Sequence, residues 1–411
     1  MNRREVKRAP VLRFKGFTND WEQHSLENLY NKIGNAFVGK ATPFFTNHGH
    51  FYLESNNIKD GRINLKDQKF INDVFYIKQR DKWLHTNDLV MVQSGDVGQT
   101  SVITQKYNNC AAHALIMFRK PKNEYISNFL NSYFQSDVAI SKIDKLKIGN
   151  TVYHLLASDM KTFKVTLPKH NSEAQKIIHI FNHLNRLQVL QQRKLELLKA
   201  SKKAVLQNIF TDTKRVPTIR FNTFSENWNQ KRLKPFLIKY NKKTTVNNQY
   251  PVLTSSRQGL FFQKDYYDGN QIASKNNIGY NIVPRNYFTY RHMSDDLIFH
   301  FNINTICDYG IVSTLYPVFT TTSEIDSQWL LYYLNHSVDI KKYALLQKQG
   351  GSRTYMYFSK LESLKAHIPA LAEQKKISSL IFKIDEQIYF QQKKLKYLQK
   401  SKRFLLQNMF I

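Results

Sequence analysis

Apolar residues recur with a coiled-coil rhythm in two stretches of this chain. Stepping alternately by four and three from Ile177 passes Phe181, Leu184, Gln188, Gln191, Leu195, Leu198, Lys202, Val205 and Ile209. Two hundred residues on, the same steps from Ile377 pass Ile381, Ile384, Ile388, Gln391, Leu395, Leu398, Lys402, Leu405 and Met409. A heptad seam that keeps its polar breaks, Gln at 191 and 391 and Lys at 202 and 402, predicts two amphipathic helices packed on one another. No Gly or Pro falls between Asn171 and Phe210 or between Ala372 and Phe410, so each helix can run to roughly 60 Å at about 1.5 Å per residue. An antiparallel pairing is expected, because it returns the C-terminus to the module that precedes the first helix. Its most symmetric register sets Gln191 against Leu395, Leu195 against Gln391 and Phe181 against Leu405.

The duplication extends beyond the helices. Arg13-Phe-Lys-Gly-Phe-Thr-Asn-Asp-Trp21 returns as Arg220-Phe-Asn-Thr-Phe-Ser-Glu-Asn-Trp228, and its Phe and Trp residues read as the packed opening of each module. Short β-rich runs separated by Gly, Asn and Asp follow: Leu89–Val92, Ser101–Thr104 and Ala114–Phe118, then Leu297–Phe299, Ile311–Ser313 and Pro317–Phe319. Asp88-Leu-Val and Asp296-Leu-Ile look equivalent. A helical segment comes next in each half, Tyr125 to Ile143 and Asp326 to Leu346, with Phe129, Leu130, Tyr133 and Phe134 echoed by Trp329, Leu330, Tyr333 and Leu334. Basic, Gly-containing turns at 145–152 and 348–354 lead into the long helices, the first with a capping-box pattern at Ser172 and Gln175. The expected class is α/β: two tandem α/β modules in a pseudo-twofold arrangement, separated by two long antiparallel coiled-coil helices. The expected boundaries are a basic tail over 1–10, modules over 11–170 and 212–370, and helices over 171–211 and 371–411.

Charge narrows the partner. Lys plus Arg number 61 against 31 Asp plus Glu, a net of +30, which points to a polyanion, with nucleic acid the first choice. No apolar run approaches the roughly 18 residues of a membrane span. The N-terminus lacks the apolar core of a signal peptide and reads as a disordered tail. Cys110 and Cys307, one in each half and far from any CxxC or His cluster, fit a reducing cytoplasm and read as small buried hydrophobes.

Signatures of catalysis are missing from the sequence. It contains no Gly-x-Ser-x-Gly elbow, phosphate loop, His-Glu-x-x-His, nuclease carboxylate pair or Asn-Pro-Pro-[Tyr/Phe]. Gly95-Asp-Val-Gly98 lacks the lysine of a phosphate loop, and His48 and His50 read as loop histidines without metal partners. No catalytic or metal-binding residues are expected. The loops do offer side chains suited to a duplex: Gln93, Ser94, Gln99, Lys145, Lys147, Asn150 and Thr151 in the first half. In the second half they are Thr254, Ser255, Ser256, Arg257, Gln258, Arg291, Asn302, Ser352 and Arg353. Arg can bind guanine bidentately and Asn or Gln adenine, while Lys, Ser and Thr mostly hold phosphates.

The order of these parts resembles the DNA-specificity subunit of type I restriction-modification systems. The resemblance rests on R-F-x-x-F-[ST]-x-x-W opening each half, a variable module, the Gly-Asn-Thr or Gly-Ser-Arg turn, and a helix closing on Leu-Gln-Asn-[Ile/Met]-Phe. It implies a cytoplasmic, non-catalytic subunit on double-stranded DNA that binds no cofactor itself. Two methyltransferase (modification) subunits would supply S-adenosylmethionine, and restriction/translocase subunits would bring ATP and Mg2+. Two modules held by one stiff helix pair and related by a near-twofold predict, in addition, a bipartite and asymmetric target, one block per module, with half-sites roughly 34 to 36 Å apart. The alternative is a non-catalytic nucleic-acid-binding coiled-coil adaptor outside restriction-modification.

Overall fold

The computed structural model describes residues 9–210, 216–269, 273–274, 276–348 and 353–411. Most of the tail expected over 1–10 therefore lies outside the described residues. The chain divides into two compact units, Met1–Gln192 with Lys393–Ile411, and Arg193–Gln392. Both long helices, Asn171–Phe210 and Leu371–Asn408, run through that division, so each unit contains one module and part of each helix.

Burial along the helices follows the heptad. Between Val189 and Ala204 only positions 191, 195, 198 and 202 are not exposed, and between Glu386 and Phe404 only 388, 391, 395, 398 and 402. Within each unit the helices pair antiparallel. In the first, Phe181 near the start of one helix lies on Phe410, two residues past the end of the other, with ring centroids 5.5 Å apart. In the second, Lys202 Nζ is 2.5 Å from Asp385 Oδ1. Phe181 thus stacks on Phe410, and Leu405, its expected seam partner, packs partly buried against the same core.

The Arg-Phe opening is a clamp on the long helices. The Arg13 guanidinium donates through Nε and Nη2 to the two carboxylate oxygens of Glu173, at 2.6 and 2.8 Å. Arg220 does the same to Glu373, at 2.7 and 2.8 Å. Both glutamates are fully buried in the first turn of their helix. Two parallel N–H···O bonds are what allow a carboxylate to be buried there, and the carboxylate holds each guanidinium pKa above its ordinary value. Three residues on, Lys176 lies 5.8 and 5.0 Å from the Phe14 and Phe17 rings, and Lys376 5.9 and 5.1 Å from Phe221 and Phe224. Trp21 and Trp228 are buried in the two cores, edge-on to Phe129 and Trp329.

The closing motif serves the same junction. Asn408 O accepts from Leu12 N at 2.8 Å in the first unit, and Asn208 O from Ile219 N at 3.2 Å in the second. Phe410 sits edge-on to Phe129 and Tyr133, as Phe210 does to Trp329 and Tyr333. The C-terminus therefore closes the core of the first module, in the way that the end of the first helix closes the second.

Each module hangs from an antiparallel ribbon, Glu22–Ser25 on Lys164–Leu167 or Asn229–Arg232 on Lys365–Ile368. Above it stands a four-stranded antiparallel sheet of one topology. Its order is Tyr30–Asn35, Leu115–Pro121, Leu89–Val92, Thr100–Val102 in the first unit. In the second it is Leu237–Tyr240, Val318–Thr321, Phe288–Tyr290, Phe301–Ile303. Three local expectations need correction. The run Leu297–Phe299 is not a strand: Leu297 has φ +65° and Asp296 Oδ1 accepts from Ile298 N at 3.2 Å, a turn that delays the strand to Phe301. Asp88, buried and bonded to the His85 and Lys120 amides, is therefore not the counterpart of exposed Asp296. The helical segments are each two helices, broken before Ser136 and Ser337, whose hydroxyls cap the second. In addition, Cys307 is half-buried while Cys110 is buried.

Candidate nucleic-acid interface

In the first unit two loops are stitched together. The hairpin joining Leu89–Val92 to Thr100–Val102 carries 93–99, and buried Val97 anchors it in the core. The turn after Lys147 is closed by reciprocal amide bonds between Ile148 and His154, at 3.0 and 2.8 Å. Gly149 there has φ +101°, and a Cβ would meet Val152 O at 2.4 Å, so this turn requires glycine. Gly95 N donates to Tyr153 O at 3.2 Å and Leu155 N to Gln93 O at 2.9 Å, which joins the turn to the hairpin.

That junction brings Gln93, Ser94, Lys147, Asn150 and Thr151 onto one edge. Asn150, Thr151 and Lys145 are exposed, while Lys147 pairs with Asp144 at 2.6 Å. Gln99 points elsewhere, its Oε1 accepting from Asp60 N at 3.0 Å. Sequence reasoning missed the apolar side chains on the same edge, Ile148, Val152 and Tyr153, all about half exposed. Exposed apolar residues in a turn held by backbone bonds were the available signal.

The second unit builds its counterpart from different residues. Strands Leu253–Ser256 and Gly259–Phe262 form a tight hairpin with Arg257 and Gln258 at the tip. Met293–Ser294 pairs with Thr354–Tyr355, which places Asp295 beside Arg353. Arg353 Nε donates to Asp295 Oδ1 at 3.0 Å, and Arg257 Nη2 to Asp296 Oδ1 at 2.6 Å. The Arg257 bond and that from Ser294 hold the Asp296 pKa down to about 2. Tyr355 and Tyr357 stack at 5.6 Å, and His292 lies 5.0 Å from Tyr357; burial lowers the His292 pKa.

Not every candidate here faces outward. Asn302 and Ser255 are buried, with Asn302 Nδ2 donating to Ser255 Oγ at 2.8 Å and Ser256 O at 2.9 Å, so they pin the hairpin from beneath. Thr254 Oγ1 accepts from Gln263 Nε2 at 3.4 Å. Arg291 and Gln258 are exposed. Ser352 lies outside the described residues. Asp295 and Asp296 escaped a search directed at basic and amide side chains, although two adjacent acids in so basic a chain were a visible signal.

Among the described residues no group of three or more His, Cys, Asp or Glu is placed to hold a metal, and no helix is long and apolar enough to cross a membrane. Residues 18–200 match the family model of the type I restriction modification DNA specificity domain. The S subunit of a type I restriction-modification system from M. genitalium has the same fold, with a TM-score of 0.60 over 98% of this chain and 99% of that one at 14% identity. The HsdS subunit from Thermoanaerobacter tengcongensis matches 96% of this chain and 97% of its own, at 12% identity and a TM-score of 0.45. Residues 18–200 are thus similar to the type I restriction modification DNA specificity domain, and the fold of the chain is similar to that of the M. genitalium S subunit.

Proposed function

We propose that this chain is the DNA sequence-specificity subunit of a type I restriction-modification complex, reading a bipartite, asymmetric site with one target-recognition module per half. The long helices set the non-specific spacer. They also scaffold two modification subunits, which bind S-adenosylmethionine and methylate adenine, and the restriction subunits, which use ATP and Mg2+. This chain contributes no catalytic group and binds none of those cofactors. One observation carries the reading: a single sheet topology and a single clamp occur twice, and the loop clusters on them share almost no chemistry. Agreement of frame with divergence of loops is what separate half-site readers require.

The test exchanges residues 233–345 for those of a related chain and sequences methylated DNA from cells carrying the hybrid with its modification subunits. One block of the target should change while the other block and the spacer persist. A hybrid that altered both blocks, or methylated without a split site, would overturn the proposal.

A further inference from the structure

Resting on that reading, we propose that Asp295 and Asp296 are positioning residues that aim Arg257 and Arg353 at DNA bases as a preset pair. Asp296 is itself fixed, since its Oδ1 accepts from Ser294 Oγ at 2.9 Å and Ile298 N at 3.2 Å as well as from Arg257. Strand pairing of Ser294 with Thr354 sets Asp295 across from Arg353. The carboxylate takes the Nε of Arg353, which leaves the two terminal nitrogens for a bidentate contact such as that of guanine O6 and N7. Arg257 gives up one Nη2 bond at the tip of a hairpin that Asn302 pins from below.

The arrangement costs attraction and gains geometry. All four side chains are roughly half exposed, so the pairs themselves add little stability. Two carboxylates on a DNA-facing edge repel phosphates, which weakens sequence-independent binding. What they supply is order: a flexible arginine held before contact loses less freedom on binding, and a fork fixed in direction rejects a base that does not match it. Removing a carboxylate therefore has two opposite effects, looser base choice and tighter binding to random DNA. A merely structural acid on this edge would share the second effect but would not loosen base choice at the position its arginine reads.

The experiment is a binding selection from a randomised duplex library, using the full chain assembled with its modification subunits. Arg257→Ala and Arg353→Ala should each flatten one position of the second block, by roughly 5- to 150-fold in base preference. Asp296→Asn and Asp295→Asn should flatten the same position as the arginine each holds, with the first block and the melting temperature unchanged and affinity for random DNA raised. If the arginine variants flatten a position and the asparagine variants leave it sharp, the positioning role is wrong and the interface stands. If the arginine variants leave both blocks untouched, the interface reading of these loops fails and the proposal falls with it.

Discussion

Lys202 and Lys402 occupy the same step of the same heptad, and the two units treat them differently. In the second unit Lys202 pairs with Asp385 at 2.5 Å, and Asp385 also accepts from the Tyr332 hydroxyl at 3.1 Å. In the first unit the residue at the position of Asp385 is Asn185, whose Oδ1 is buried without a hydrogen-bond partner. Lys402, only 8% exposed, donates to Gln135 Oε1 at 2.7 Å, and burial, reinforced by Arg62, lowers its pKa to about 8. The duplicated seam has kept its shape while its electrostatics diverged. A polar break in a coiled coil specifies register in either form, but Lys202 forms an ion pair across the seam while Lys402 bonds to a neutral amide, with Asp60 acting on it only at longer range.

The largest effects should come from what the units share. Glu173→Ala strands Arg13 and Glu373→Ala strands Arg220, each guanidinium being nearly buried. Loss of one partner of a buried ion pair costs about 3–5 kcal/mol. Hydrogen exchange should show the loss confined to the unit that carries the substitution, with the two variants matching in size. A cost below about 1 kcal/mol in either would mean that the clamp is not a buried pair in solution.

Next in size are substitutions at the seam, where the units should respond with opposite sign. Lys402→Met removes a buried ammonium whose hydrogen-bond partner is the neutral Gln135 amide and should stabilise the protein at pH 7 by about 2 kcal/mol. Lys202→Met leaves Asp385 without its cation and should destabilise it by about 1 kcal/mol, a figure reduced for the partial exposure of that pair. Asn185→Asp should make the first unit resemble the second, raising the Lys402 pKa toward its usual 10.5. Urea titrations of the three variants measure the signs. Equal signs for the two methionine variants would show that the difference between the units has no energetic consequence.

The sequence made the helical seam, the paired modules and the packed openings readable, because each rests on local periodicity or on a repeat visible at a fixed offset. It did not reveal that Arg13 binds Glu173, since 160 residues separate them and only the fold brings an opening segment onto a helix start. Asn302 has the composition of a base reader, yet it is buried beneath a hairpin, because burial depends on strands that pair from elsewhere in the chain. Nor could heptad bookkeeping separate Lys202 from Lys402, since the partner that matters sits on the other helix, as Asp in one copy and Asn in the other.

Titration should divide the units further, by about 1–2 kcal/mol once partial exposure is taken into account. Burial, aided by Lys202, lowers the His336 pKa from 6.5 to about 4. The unfolded chain then binds the extra proton first, so stability present above about pH 6.5 is lost as pH falls toward 4. For Lys402 the window lies between about 8 and 10.5: its destabilising charge is fully present below 8, and stability rises as pH climbs through that range. His336→Gln should remove the acid slope and Lys402→Met the alkaline one, each without touching the other. A single variant that removed both slopes would break the assignment.

The smallest expected difference lies at the Phe rings of the two openings, where the geometry is nearly the same. Lys176 and Lys376 each approach two Phe rings, and exposed contacts of this kind are worth about 0.5–1 kcal/mol, so Lys→Gln at either should cost roughly that. Lys→Arg should keep most of it, because the guanidinium retains both charge and a flat face for the ring. Lys376 also donates to Thr223 Oγ1 at 3.3 Å, while residue 16 at the equivalent place in the first opening is glycine and has no acceptor. Lys376→Gln should therefore cost a few tenths of a kcal/mol more than Lys176→Gln, and Thr223→Val should remove that excess while leaving the ring contacts in place. Thermal unfolding of the two Lys→Gln variants, alone and combined with Thr223→Val, resolves the sign of the difference. If Thr223→Val leaves the excess intact, the asymmetry lies in the rings and not in the hydroxyl.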